Sequence, residues 1–112
     1  MTKAEAQHQI EKELATVRHA EVIGNDGMAR VCARRAAGVA ISLWLQTNSR
    51  SGWGVNAMNQ LRSLALDETM PQEIRDAAKR LTTKITEQFT SAFSTDSIED
   101  AKIIINFLME KT

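Results

Sequence analysis

Nothing in this sequence alternates apolar and polar residues for long enough to read as a β-strand, which removes the β and mixed fold classes. There is one proline, Pro71, and no tyrosine. There is also one cysteine, Cys32, which cannot close an internal disulfide; that fits a reducing compartment. Charge of one sign is missing too: 14 Lys plus Arg stand against 14 Asp plus Glu, for a formal net charge of zero. A protein devoted to nucleic acid is therefore not favoured, because phosphate binding requires a positive excess on some face. The longest apolar run, Ala36 to Leu45, includes Gly38 and Ser42 and is about half the ~20 residues a membrane span needs. Met1-Thr2-Lys3-Ala4-Glu5 leads straight into charged helix with no apolar signal core. The expectation is a cytoplasmic protein with no membrane segment.

What is present is helix-forming: Ala, Glu, Lys, Arg, Gln and Leu dominate. At 112 residues the chain has room for one core, so 1–112 is read as a single domain. Thr2 with Glu5 forms a capping box for a first helix. Its apolar stripe is Ala6, Ile10, Leu14 and Val17, continued by Glu21, and it ends near Ile23 before the turn-forming Gly24-Asn25-Asp26-Gly27. A second helix is expected from Met28 to Gln46. Its second half is apolar on every side and so must be covered on every side, which makes it the central helix. Ala33, Ala37 and Ala40, with Gly38 beside them, permit a close neighbour. Thr47 to Asn56 reads as a loop. A short helix from Asn56 to Leu66 turns Met58, Leu61 and Ala65 inward.

Pro71 opens a fourth helix, where its missing N–H is harmless. Ile74, Ala78, Leu81, Ile85 and Phe89 keep helical spacing to about residue 90, but Thr82, Thr83, Thr86 and Thr90 weaken it, so fraying or an early end is expected. Phe93 to Asp96 is the next connection. Asp96 with Glu99, or Ser97 with Asp100, caps a last helix whose buried stripe is Ile98, Ala101, Ile105, Leu108 and Met109. The fold class is all-α, an antiparallel up-and-down bundle of four to five helices.

Chemistry-bearing residues are sparse. His8 and His19 lie eleven residues apart on the first helix, about 16 Å at 1.5 Å per residue. They share no metal-ligand spacing with a carboxylate or cysteine, and are expected to be structural or solvent-facing. Cys32, with no base in view, is expected to be a small core residue. Arg30, Arg34 and Arg35 follow the Gly-Asn-Asp-Gly turn. Pairing of Arg34 and Arg35 with Glu11, Glu13 or Glu21, or with Glu99 and Asp100, is the first expectation; an anion site at the helix start is the second. Arg75, Lys79, Arg80 and Lys84 give the fourth helix a basic side, read as solvated, with Asp76 four residues before Arg80. Trp53 sits in a loop between two glycines; folding back as a lid and contacting a subunit or ligand stay equally open. Trp44 is core. Arg30, Arg34, Arg35 and Trp53 are the candidate ligand-binding residues, with no catalytic residue, metal or cofactor implied.

In order, these pieces resemble the HEPN superfamily of helical bundles. The resemblance runs over nearly the whole chain. It is carried by the Ala-rich central helix Ala33-Arg34-Arg35-Ala36-Ala37-Gly38-Val39-Ala40, by Ala77-Ala78-Lys79-Arg80-Leu81, and by the acidic last helix from Ile98-Glu99-Asp100-Ala101 to Phe107-Leu108. It implies a homodimeric antiparallel bundle. The superfamily includes toxin ribonucleases, partners of nucleotidyltransferases and non-catalytic modules. The ribonucleases carry an Arg, four to six residues, then a His. Here Lys12, Glu13 and Leu14 precede His19 at that distance and no histidine follows it, so no site residue carries over. The expected function is a non-catalytic, homodimeric module binding a partner protein, of nucleotidyltransferase type for instance, or a small nucleotide-like anion. A ribonuclease with a degenerate site and a structural subunit are the alternatives.

Overall fold

A computed structural model of the chain describes residues 1–83 and 97–112. Among them are five helices and no strand: α1 (Lys3–Val22), α2 (Asp26–Leu45), α3 (Ala57–Leu66), α4 (Gln72–Thr82) and α5 (Ser97–Glu110). The fold is an all-helical antiparallel bundle. Helix α1 begins where expected: Thr2 Oγ1 accepts from the Glu5 amide at 3.1 Å, and the Glu5 carboxylate accepts back from the Thr2 amide at 3.4 Å. Asn25 caps α2 by accepting the Met28 amide at 3.0 Å. Helix α3 is capped by Asn56, which takes the amides of both Met58 and Asn59.

Helix α2 is the hub, packed against α1, α3, α4 and α5. From Ala36 to Leu45 its residues are buried, apart from half-buried Val39, Ser42 and Leu45. This enclosure is what an all-round apolar helix requires. Close approach occurs at Gly38, where a Cβ would stand 2.8 Å from the Ala57 Cβ at the start of α3. Only glycine lets the two helices meet at that depth.

Two expectations are corrected. The buried stripe of α1 closes on Ala20, not Glu21, which is exposed. Helix α3 turns Gln60, Leu61 and Leu64 into the core, while Met58 and Ala65 are half-buried. Helix α4 ends early, at Thr82, with Thr83 extended, where the threonines weaken the helical spacing. The threonines explain the stop: Thr82 Oγ1 donates to Ala78 O at 3.0 Å and Thr83 Oγ1 to Lys79 O at 2.7 Å. Such bonds offer the backbone an alternative to the helical ladder. Ile85, Phe89, Lys84, the connection Phe93 to Asp96 and the Asp96 cap lie outside the described residues.

Candidate functional site

The three arginines of the α2 start go to different places. Arg30 is buried, and its Nη2 donates to Arg80 O (2.8 Å), Leu81 O (3.3 Å) and Thr83 O (3.1 Å). Arg34 Nε donates to Leu81 O at 2.7 Å. The last carbonyls of a helix have no partner within it and carry the negative end of its dipole. Arg30 and Arg34 fill that need for α4. Burial lowers the Arg30 pKa, with Asp100 acting in the opposite direction. The Arg34 pKa is lowered by burial and by the neighbouring cations Arg30 and Arg62.

Among the described residues neither Arg34 nor Arg35 forms an ion pair with a carboxylate of α1 or α5, contrary to the first expectation. Positions 30 and 34 lie one turn apart on the face of α2 turned to α4, away from α1. The buried Asp100 instead pairs with Arg80, Nε to Oδ1 at 2.9 Å. Arg75 donates to Ala65 O at 3.2 Å, so the supposed basic side of α4 is in part internal. Asp76 accepts from Gln72 Nε2 at 2.8 Å rather than pairing with Arg80. Arg35, next in sequence to Arg34, is exposed and lines a cleft between α1, α2 and α3.

Trp53 is folded back. Gly52 and Gly54 have φ of 83° and 70°, in the left-handed region that favours glycine, and the indole between them is buried against Trp44 with ring centroids 5.8 Å apart. Arg50 stacks over Trp44 at 5.1 Å and forms an ion pair with Asp67 at 3.5 Å, tying the loop to the end of α3. The indole thus lies folded back over the bundle, as the lid reading expects. Cys32 is buried in the core, where burial and then the adjacent Glu13 push its thiol pKa up; such a thiol is inert. His8 and His19 are exposed. No group of three His, Cys, Asp or Glu side chains able to hold a metal occurs among the described residues.

Sequence periodicity gave no hint of one further surface. At the joined end of the α1–α2 hairpin, Val22 is 85 % exposed and Ile23 59 %, with Met28 and Val31 each 42 % exposed on the first turns of α2. Arg18, Glu21 and Asp26, all exposed, stand at the same end. Single exposed apolar residues are ordinary, whereas these four are gathered at one end. No helix among the described residues is long and apolar enough to cross a membrane. No family model, no curated protein and no solved structure matches the chain.

Proposed function

We propose that the chain is a non-catalytic helical interaction module of HEPN-like type that pairs with a second copy of itself through the joined end of its α1–α2 hairpin. The observation that carries this reading is the set Val22, Ile23, Met28 and Val31, four large apolar side chains open to water at that one end. Burying them removes apolar surface from water at roughly 25 cal/mol per Å². A self-pairing surface must complement itself, and this one carries both signs in Arg18, Glu21 and Asp26. The zero net charge of the chain leaves no long-range repulsion between copies. Arg30 and Arg34, which a phosphate-handling centre would need free, are given to the carbonyls of α4.

Light scattering after size exclusion tests the reading, comparing the 12.4 kDa chain with its Val22→Lys/Ile23→Lys variant. A dimer is expected for the unaltered chain and a monomer of unchanged helicity for the variant, since both positions are exposed. An unaltered chain that stays monomeric at about 1 mM, where only very weak association is left undetected, overturns the reading, as does a dimer that the lysines leave intact.

A further inference from the structure

A cleft of about 520 Å³ lies between α1, α2 and the start of α3, within the range of small-molecule sites. Its polar lining falls into two chemical sets. One set is made of acceptors. Gln60 is 2 % exposed, and its Nε2 is held by Ser42 Oγ and Gly54 O, both at 3.1 Å. Two acceptors on the nitrogen fix the amide orientation and leave Oε1 without a donor. Glu13, from α1, also has a buried oxygen, Oε2, without a partner. A buried acceptor left unmade costs about 1–3 kcal/mol, and this cleft is lined by two residues that carry one.

The other set is made of donors and cations. Lys12 and Arg35 are exposed and stand along the cleft with no salt bridge among the described residues. Ala57, the first residue of α3, has no acceptor for its amide among the described residues, because Asn56 takes the next two amides and Asn56 O the fourth. A helix amino terminus with a free N–H attracts an anion. Val39, half-buried, adds apolar wall, and Val55, 95 % exposed, stands at the rim.

From this juxtaposition we propose that the cleft binds a free α-amino acid with an apolar side chain. The ammonium group donates to Gln60 Oε1 and the Glu13 carboxylate. The carboxylate faces Arg35, Lys12 and the Ala57 amide, and the side chain lies along Val39 and Val55. Both acceptor oxygens are shut off from water, so both side chains, Glu13 and Gln60, turn toward the ligand as it enters. An anion alone leaves the acceptors unmet, and an amine alone leaves the cations unmet. The site does not involve the hairpin end and stands or falls apart from self-pairing.

The test is an NMR titration of the full chain with leucine, methionine and phenylalanine, alongside 4-methylpentanoate and isoamylamine, which keep only the acid or only the amine of leucine. Saturable shifts at Arg35, Ala57 and Gln60 are expected for at least one amino acid, with either half of leucine binding at least about tenfold more weakly than leucine itself. Arg35→Met and Glu13→Gln should each weaken amino-acid binding by about tenfold or more, and Arg35→Met should do so while leaving the urea midpoint in place, because Arg35 is exposed and makes no bond that folding needs. The proposal is overturned if none of the three amino acids gives a saturable shift up to about 10 mM, where even a millimolar site would fill. It is equally overturned if the two halves bind as well as leucine, or if Arg35→Met binds like the unaltered chain.

Discussion

Replacing Arg30 by methionine isolates the interaction on which the α2–α4 junction rests. Methionine keeps most of the aliphatic bulk and removes the guanidinium. Nη2 has two hydrogens and three carbonyls within 2.8–3.3 Å, on Arg80, Leu81 and Thr83, so two full bonds are lost rather than three. A hydrogen bond to a charged group contributes about 1.5–3 kcal/mol, and a carbonyl left buried and unmatched adds to the loss. Against this stand two reliefs: the guanidinium is no longer desolvated, and Arg34 loses a cationic neighbour. Asp100 also loses favourable charge, although Arg80 still holds it. The balance is a loss of about 3 kcal/mol, a drop in Tm of roughly 10–15 °C for a chain of this length. Urea unfolding followed by circular dichroism at neutral pH measures it. The same change at Arg35, which is exposed, should fall within about 0.5 kcal/mol of zero. A loss below about 1 kcal/mol for Arg30→Met would refute the capping role, and Arg30 would then be free for an anion. In that case inorganic phosphate should raise the Tm of the unaltered chain and not that of the variant.

Three further outcomes follow from the same geometry. Gly38→Ala gains about 1 kcal/mol of helix propensity. It also drives a Cβ to 2.8 Å from Ala57 Cβ and 3.3 Å from Ala57 Cα, an overpacking cost of about 1–3 kcal/mol, so the urea midpoint should fall. Ala57→Gly on that background should recover part of the loss. Trp53→Ala should cost about 3 kcal/mol or slightly more, as for other buried large-to-small changes, and should abolish the near-ultraviolet dichroism of the Trp44–Trp53 pair. Burial alone would raise the Asp67 carboxyl, but bonds from the Thr69 hydroxyl and amide, with Arg50 nearby, outweigh it and hold the pKa below the usual value. A lowered folded pKa adds stability that is present above the ordinary carboxylate pKa of about 3.9 and is lost as pH falls through the folded value. Asp67→Asn should therefore lower Tm at pH 7 and match the unaltered chain in strong acid; a gap that persists in acid refutes the assignment.

Local signals in the sequence were sufficient for the scaffold. The Thr2–Glu5 box, the Gly24-Asn25 turn and the apolar run of α2 each act within a few residues, and each element is formed where its signal stands. The misses came where the deciding partner is distant. Arg34 bonds a carbonyl 47 residues away, and Arg80 an aspartate 20 residues away. Helical spacing alone put Asp76 beside Arg80 and could not show that Asp100 would win. Gln60, a polar residue outside the apolar stripe read for α3, is buried because Gly38 admits α3 close to α2 and brings Ser42 and Gly54 to its amide. Glu21 and Ala20 both fit the spacing after Val17, and only the packing of α1 on α2 chooses between them.

Arg34 and Arg35 show why a cluster in sequence is not a cluster in space. Each step along an α-helix turns about 100°, so neighbours point to different sides of α2. Arg34 joins Arg30, one turn earlier, against the end of α4. Arg35 joins Val39 and Ser42, one and two turns later, along the α1–α3 cleft. The same rotation sets Gly38 between Ala57 and the core, and turns Met28 and Val31 to water. A central helix contacted by every other helix has little open surface left, and what remains is divided between the hairpin end and the cleft. Substitutions on the inner arcs should therefore change stability, and those at Met28, Val31 or Arg35 should change binding at constant stability. If Arg35→Met lowers the urea midpoint as much as Arg30→Met, this division of α2 into supporting and working arcs is wrong.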